Sequence, residues 1–259
     1  MSFFIHPAAQ VDENAKIGEG SHIGPFCTVG ADVTLGENVR LESHVVVDGI
    51  TSIGDGTVVF PFVSIGLGPQ DLKYGGEATR TEIGERNQIR EFVTIHRGTI
   101  GGGGVTRVGS GNLLMAQAHV AHDCQVGNDI IMANAATLAG HVEVADRASI
   151  GAYSGVHQFC RVGLEAFIGG YSVVVKDALP FATIQGNHAK CYGVNRVGMR
   201  RRGYEKGTIE QVNHAFHLLL NAKLNTTQAV ERIRAEITGS PEVDLLVDFI
   251  ETSSRGVVK

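Results

Sequence analysis

Val108, Leu114, Val120, Val126, Met132, Leu138, Val144, Ile150, Val156, Val162, Ile168 and Val174 stand six residues apart, and all twelve are apolar. Residues 108–129 read VGSGNLLMAQAHVAHDCQVGND. The same spacing begins near the start of the chain with Ile5, Val11, Ile17, Ile23, Val29, Leu35, Leu41, Val47, Ile53, Val59 and Ile65, and returns at Ile83, Ile89 and Ile95. Only 43% of the residues are hydrophobic, so an unbroken run of this length is an internal repeat. A helical period of 3.6 and a strand period of 2 both fail to give a strict six. A β-sandwich would place turn signals every 8–12 residues or so.

The period dictates a solenoid. One aliphatic residue in six points inward, and the others make a short strand and a sharp corner. Many of the aliphatic residues are followed directly by glycine, as at Gly18, Gly24, Gly30, Gly36, Gly109, Gly127 and Gly151. Glycine or a small polar residue at the corner is expected to supply dihedrals that a Cβ disfavours. Three hexads close a triangular coil, and successive coils pair as parallel strands.

Two stretches break the rhythm, 66–82 with Gly68-Pro69-Gln70-Asp71-Leu72-Lys73 and 96–107 with Gly101-Gly102-Gly103-Gly104. Both read as loops projecting from the prism, where solenoids often carry function. After Val174 the rhythm dissolves. Ile209, Val212, Ala215, Phe216, Leu219 and Leu220 have the spacing of an amphipathic helix over 209–222. Two more helices are expected over 226–237, capped by Thr226, and over 243–250, with Pro241 near its start. The expected division is a β-solenoid over 1–190 with two inserted loops and a small α-helical domain over 191–259, which covers the open end of the stack.

Composition narrows the function. A net charge of −5 argues against a general nucleic-acid binder. No apolar run approaches the roughly 20 residues of a membrane span. The N-terminus MSFFIHP lacks the basic and apolar regions of a secretory signal. Cys27, Cys124, Cys160 and Cys191 form no close pair and read as reduced, mostly buried thiols.

The eleven histidines are not alike. Counted in coils of eighteen from Val108, His122, His141 and His157 fall near one corner of three consecutive coils, with His119 beside them. Lone histidines at such corners are ordinary polar residues; a phased group suggests a site. Two chemistries fit. One is a zinc centre of three ligands and water, as in a zinc-dependent hydratase. The other is general-base catalysis by one imidazole, whose ordinary pKa near 6.5 suits neutral pH.

Several stretches match one family. They are Gln70-Asp71-Leu72-Lys73-Tyr74, Val93-Thr94-Ile95-His96-Arg97-Gly98-Thr99, His119-Val120-Ala121-His122-Asp123-Cys124, Ala136-Thr137-Leu138-Ala139-Gly140-His141, Val156-His157-Gln158-Phe159-Cys160, Gln185-Gly186-Asn187-His188-Ala189 and Gly193-Val194-Asn195. They resemble the acyl-[acyl-carrier-protein]–UDP-N-acetylglucosamine O-acyltransferase family, and the likeness covers nearly the whole chain. The resemblance implies a left-handed parallel β-helix, a homotrimer with sites between neighbouring solenoids, a cytoplasmic location and no metal or cofactor. It implies transfer of a (3R)-3-hydroxyacyl chain from acyl carrier protein to the 3-hydroxyl of UDP-N-acetylglucosamine, the first step of lipid A biosynthesis.

It also assigns roles. His122 resembles the general base, Asp123 the residue that orients it, and the Gly140 amide the oxyanion donor. Gln70, Asp71, Lys73, His119, His141, His157 and Gln158 match positions along the sugar and acyl groove, with Asp71 and Lys73 reaching it from the subunit opposite the catalytic histidine. Asn195, Arg201 and Arg202 match positions near the nucleotide, and Gly170 and His188 positions that set acyl length. Glycine at 170 leaves the groove open to a long chain. Val197 stands where the family often has an acidic residue, so the resemblance does not carry over a carboxylate contact to the ribose. The basic run Arg196, Arg200, Arg201, Arg202 and Lys206 suits the UDP phosphates and the acidic carrier protein. Transfer to a 3-amino sugar, and a scaffold without activity, remain open alternatives. A related N-acyltransferase carries an additional N-terminal uridine-binding domain, for which hexads beginning at Ile5 leave no room.

Overall fold

A computed structural model describes residues 2–259. The repeat region folds as very short strands, such as His119–Val120, Thr137–Leu138 and Gly155–Val156. They line up in three sheets of eleven, nine and eight strands, one for each side of a triangular prism. Each strand pairs in parallel with the strand eighteen residues on: Leu138 lies opposite Val120 and Val156. Three hexads therefore make one coil of a left-handed parallel β-helix. The two insertions lengthen a coil without disturbing what stacks. Ile65 lies opposite Ile95, thirty residues on, and Ile95 opposite Val120, twenty-five on. The insertions are also tied together: the Arg97 Nε donates to the Gly66 carbonyl at 2.6 Å.

Each hexad contributes two inward residues rather than one. The counted aliphatic column is buried, as at Leu114, Val120, Met132 and Leu138. Two positions earlier runs a second buried column of smaller side chains, with Ala118, Cys124, Ala136, Ala148, Ser154, Cys160 and Ala166. Large and small residues alternate because the interior of so narrow a prism has little room. Three of the four cysteines, Cys27, Cys124 and Cys160, occupy this small column, which accounts for their scatter in sequence. Polar residues in it are bonded to the backbone of adjacent coils. Asn87 donates to the Gly84 and Gly109 carbonyls and accepts from the Asn112 amide, all at 2.9 Å.

The glycines do a different job from the one expected. The residue with left-handed dihedrals is the third after the aliphatic one, and it is usually not glycine. Gln117, Asp123, Asp129, Ala135, His141, Arg147, Tyr153, Phe159, Glu165 and Tyr171 all have φ between 55° and 64°. Such residues cost about 1–2 kcal/mol each, offset by core burial and by amide bonds to the coil before, such as His141 N–H to the His122 carbonyl at 3.0 Å. The glycine directly after the aliphatic residue answers a crowding problem instead. A methyl group at Gly18 would land on the Gly36 carbonyl, and one at Gly84 would lie 2.8 Å from the Gly109 carbonyl oxygen.

Beyond Val174 the sheet continues further than the rhythm does. Ala182–Gln185 pairs in parallel with Phe167–Ile168 and then antiparallel with Lys190–Val194. Four helices follow: α1 (Arg196–Arg201), α2 (Lys206–Leu220), α3 (Thr226–Glu236) and α4 (Pro241–Glu251). The cap of α3 is Asn225, not Thr226: Asn225 and Gln228 form a reciprocal capping box. Pro241 starts α4 at a position where its missing N–H costs nothing. The tail returns to the solenoid, where Asp177 N–H donates to the Gly256 carbonyl and Val258 N–H to the Asp177 carbonyl.

Gly84→Ala is expected to lower stability by about 1–3 kcal/mol, the cost of overpacking a tight site. Arg86→Gly, at a left-handed corner with φ 52°, should change it by less than about 1 kcal/mol, because relief of strain and loss of chain stiffness oppose each other. Chemical denaturation of the two variants checks the distinction.

Candidate active site

The chemistry concentrates at the corner between the nine-stranded and eight-stranded sheets. Just past the strand His119–Val120 the chain turns through Ala121, His122 and Asp123, with Asp123 in the left-handed conformation. One coil on, Gly140 stacks over His122 and His141 over Asp123.

His122 Nδ1 lies 2.8 Å from Asp123 Oδ2. Against an ionised carboxylate, which only accepts, Nδ1 is the donor, and Nε2 makes no hydrogen bond among the described residues. The Asp123 side chain is fully buried, while the His122 side chain keeps 16% of its surface exposed. Asp123 is well supplied with donors: Thr99 N–H reaches Oδ1 at 2.8 Å and the Thr99 hydroxyl reaches Oδ2 at 2.6 Å. Gly140 stands against the open edge of the imidazole. A methyl there would lie 2.7 Å from His122 Nε2, so only glycine leaves that nitrogen reachable. Among the described residues, no acceptor is paired with the Gly140 amide.

Other imidazoles crowd in. The His122 and His141 rings stand at right angles with centroids 5.1 Å apart, and His141 stacks on Phe159 at 4.3 Å. His119 Nδ1 bonds the Thr94 hydroxyl at 2.6 Å, and its ring meets His96 edge-on at 5.0 Å. Burial, then the charges of His119 and His122, drives His96 down to about 4. Burial and His122 also lower His119. Burial lowers His141 as well, with Asp123 and Asp71 pulling the other way and His122 adding to the fall. Desolvation and mutual repulsion thus favour neutral rings around His122. The neighbouring thiol is buried, which pushes Cys124 up to about 12.

The remaining residues singled out from sequence are dispersed. Asp71 lies on the first insertion, within electrostatic reach of His141 of its own chain. Gln70 and Lys73 are exposed beside it. His157 is one coil beyond His141 but does not touch it; its Nδ1 lies 3.1 Å from the Gln158 carbonyl and 3.3 Å from the Arg255 guanidinium. Gly170 lies at the next corner, against the Ala152 backbone and beside Tyr171, whose exposed ring stacks on that of Tyr153. His188 is exposed near the end of the nine-stranded sheet, where Ala189 N–H bonds the Val173 carbonyl. Asn195 caps α1, accepting from Gly198 N–H at 2.9 Å and donating to the Glu165 carbonyl at 3.2 Å. Arg201 and Arg202 are exposed, as is Val197.

Sequence reasoning gave no role to His96, Thr94 or Thr99. All three lie on or just before the second insertion, which throws off a count in eighteens.

A cavity of about 690 Å³ adjoins the corner, lined by Gly102, Asp123, His141, Phe159 and Thr252 among others. His122, Asp123 and His141 present ligand atoms within 4.8 Å of one another, a set that a divalent cation could span. Asp123 Oδ2 already bonds the Thr99 hydroxyl and His122, however, so such an ion would compete with both.

A hexad prism with a buried carboxylate behind an accessible imidazole defines a hexapeptide-repeat transferase. Residues 4–49 match the bacterial transferase hexapeptide model. Residues 177–258 match the second domain of UDP-N-acetylglucosamine O-acyltransferase. LpxA from Acinetobacter baumannii is 44% identical, with 98% of this chain and 99% of that one covered and a TM-score of 0.96. LpxA of Bacteroides fragilis, a UDP-N-acetylglucosamine acyltransferase, is 40% identical over 98% and 100%, with a TM-score of 0.96. The Arabidopsis UDP-N-acetylglucosamine acyltransferase is 33% identical over 98% and 100%, with a TM-score of 0.87. The chain belongs to the UDP-N-acetylglucosamine O-acyltransferase family, and it is an acyltransferase. The hydratase and scaffold readings fall with that assignment.

The depressed His96 has a measurable consequence. The unfolded chain takes a proton on His96 near pH 6.5, whereas the folded protein resists until about 4. Protons then bind preferentially to the unfolded state, so stability falls as pH drops through that window. His96→Phe should flatten the fall, as read by denaturant midpoints between pH 7 and pH 4.

Proposed function

We propose that His122 takes the proton from the 3-hydroxyl of UDP-N-acetylglucosamine as that oxygen attacks the thioester of a (3R)-3-hydroxyacyl chain carried by acyl carrier protein. The reaction is the acyl transfer that opens lipid A biosynthesis. The observation that carries this reading is the 2.8 Å bond from His122 to a fully buried carboxylate, with Nε2 left free. Attack gives a tetrahedral intermediate whose oxyanion the unpaired Gly140 amide can receive. Collapse breaks the carbon–sulfur bond, and the departing thiolate takes the proton back from the imidazolium. Asp123 steadies that cation meanwhile.

The sugar and acyl groups are held by Gln70, Asp71, Lys73, His119, His141, His157 and Gln158. Arg201 and Arg202 face the nucleotide phosphates. Asn195 contributes less freely, because its side-chain oxygen and one amide proton are already bonded. Thr94, His119, Thr137, Gly155 and Val173 occupy one outward row of the nine-stranded sheet. From His119 to Val173 this row crosses three coil spacings, about 14 Å at roughly 4.8 Å per coil. Space above Gly155 is open, and Gly170 and His188 stand toward the far end. A long acyl chain fits such a row.

The enzyme acts in the cytoplasm as a homotrimer. No described helix is long and apolar enough to cross a membrane. All four cysteines are free, as a reducing compartment keeps them. The flat sides of the prism suit side-by-side packing, and sedimentation should give a mass three times the 27.5 kDa chain.

The purified protein, given UDP-N-acetylglucosamine and 3-hydroxyacyl carrier proteins, should form an ester, prefer fourteen-carbon to ten-carbon donors and be indifferent to chelators. His122→Ala should lower kcat about 10²–10⁴-fold. A folded His122→Ala variant with full activity would remove the base from the mechanism, and a preference for ten carbons would refute the open groove.

A further inference from the structure

The second insertion does more than interrupt the repeat: it wraps the carboxylate behind His122. We infer that Thr99 is a positioning residue that aims Asp123 at His122, and that the glycines on either side of it are there to bring it close. Thr99 is 9% exposed and gives Asp123 two hydrogen bonds, one to each carboxylate oxygen. Two donors fixed on one residue hold a carboxylate in a single plane, which a lone donor cannot do. The backbone of Asp123 is fixed too, through its N–H to the Thr106 hydroxyl at 2.7 Å. The carboxylate and the amide of Asp123 are therefore both held by residues 99–106, and Oδ2 is left turned toward His122 Nδ1.

The loop is built around Thr99. Its carbonyl accepts from Gly102 N–H at 3.0 Å and from Gly104 N–H at 2.8 Å, curling the chain back over the carboxylate. A methyl at Gly98 would lie 2.8 Å from Asp123 Oδ1, and one at Gly102 would land on the carboxylate carbon. Gly102 has no left-handed φ, so alanine there is excluded by contact alone. The tight lid keeps water from competing for Asp123, and a bond in a drier setting is electrostatically stronger.

The inference rests on the reading of His122 as base, but it can be tested apart from it. An imidazole N–H bonded to a carboxylate gives a far-downfield proton resonance, which His122→Ala would assign by its disappearance. Thr99→Ser keeps the donor hydroxyl and should keep that resonance and the activity. Thr99→Val keeps the size and loses the hydroxyl. Its resonance should broaden or vanish, kcat should fall about 10- to 100-fold, as when outer partners of a working side chain are lost, and KM for the nucleotide sugar should stay within about twofold. The acidic limb of its kcat/KM profile should also move, which a merely structural threonine would not cause. Gly102→Ala should act in the same direction, with folding checked by thermal unfolding. If Thr99→Val retains the resonance, the pH profile and kcat, the positioning role is overturned. If His122→Ala stays active while Thr99→Val still loses the resonance, the base assignment fails and the Thr99 contact stands.

Discussion

The parallel ladder between coils is the constraint on which everything else rests. It repeats every eighteen residues, so whatever occupies one place in a coil sits directly against the residue eighteen places on. For aliphatic side chains that stacking is favourable, and the core builds itself in columns. For the backbone it is demanding, because successive corners must pass close together. The glycines after the aliphatic residues and the left-handed residues two places further on are the two responses to it.

The same rule makes the candidate active site. Nothing else in the chain would bring His122 to Gly140, or Asp123 to His141; their proximity is a property of the number eighteen. Stacking also creates a liability, since imidazoles in adjacent coils repel one another when charged. The molecule answers by burying His96 and His119, which favours their neutral forms, and by setting the Asp123 carboxylate 2.8 Å from His122, with His141 farther off at 3.9 Å. The His122 imidazole is thereby set apart from a crowd of chemically identical rings.

Much of this was legible in the sequence because periodicity is a one-dimensional signal. The hexads gave the prism, and counting in coils put His122 and His141 together. What stayed hidden involved either a second column or a broken count. The inward column that houses Cys27, Cys124 and Cys160 mixes alanine, valine, threonine, cysteine, serine and asparagine, so no single residue type marks it. His96 and Thr99 escaped because the insertion shifts their phase by seven residues against His119 and Val120. His157 was grouped with its neighbours by phase alone, and a difference of one position around the corner is enough to point it at Arg255 instead. The capping role of Asn225 over Thr226 turned on a reciprocal bond from Gln228 that two adjacent cap-forming residues leave ambiguous.

The two ends of the prism are not equivalent. At the C-terminal end the last coils are covered by helices and by a tail bonded on both sides of Asp177. At the other end Ile5, Val11 and Ile17 are only partly buried. In a solenoid each coil is stabilised only by its neighbours, so opening propagates from a free edge rather than from the middle. The molecule is thus a zip with one closed stop. The His122 corner lies several coils from the less buried end and beside the covered one, where Thr252 shares a cavity with Asp123, so the N-terminal coils can loosen without loosening that corner.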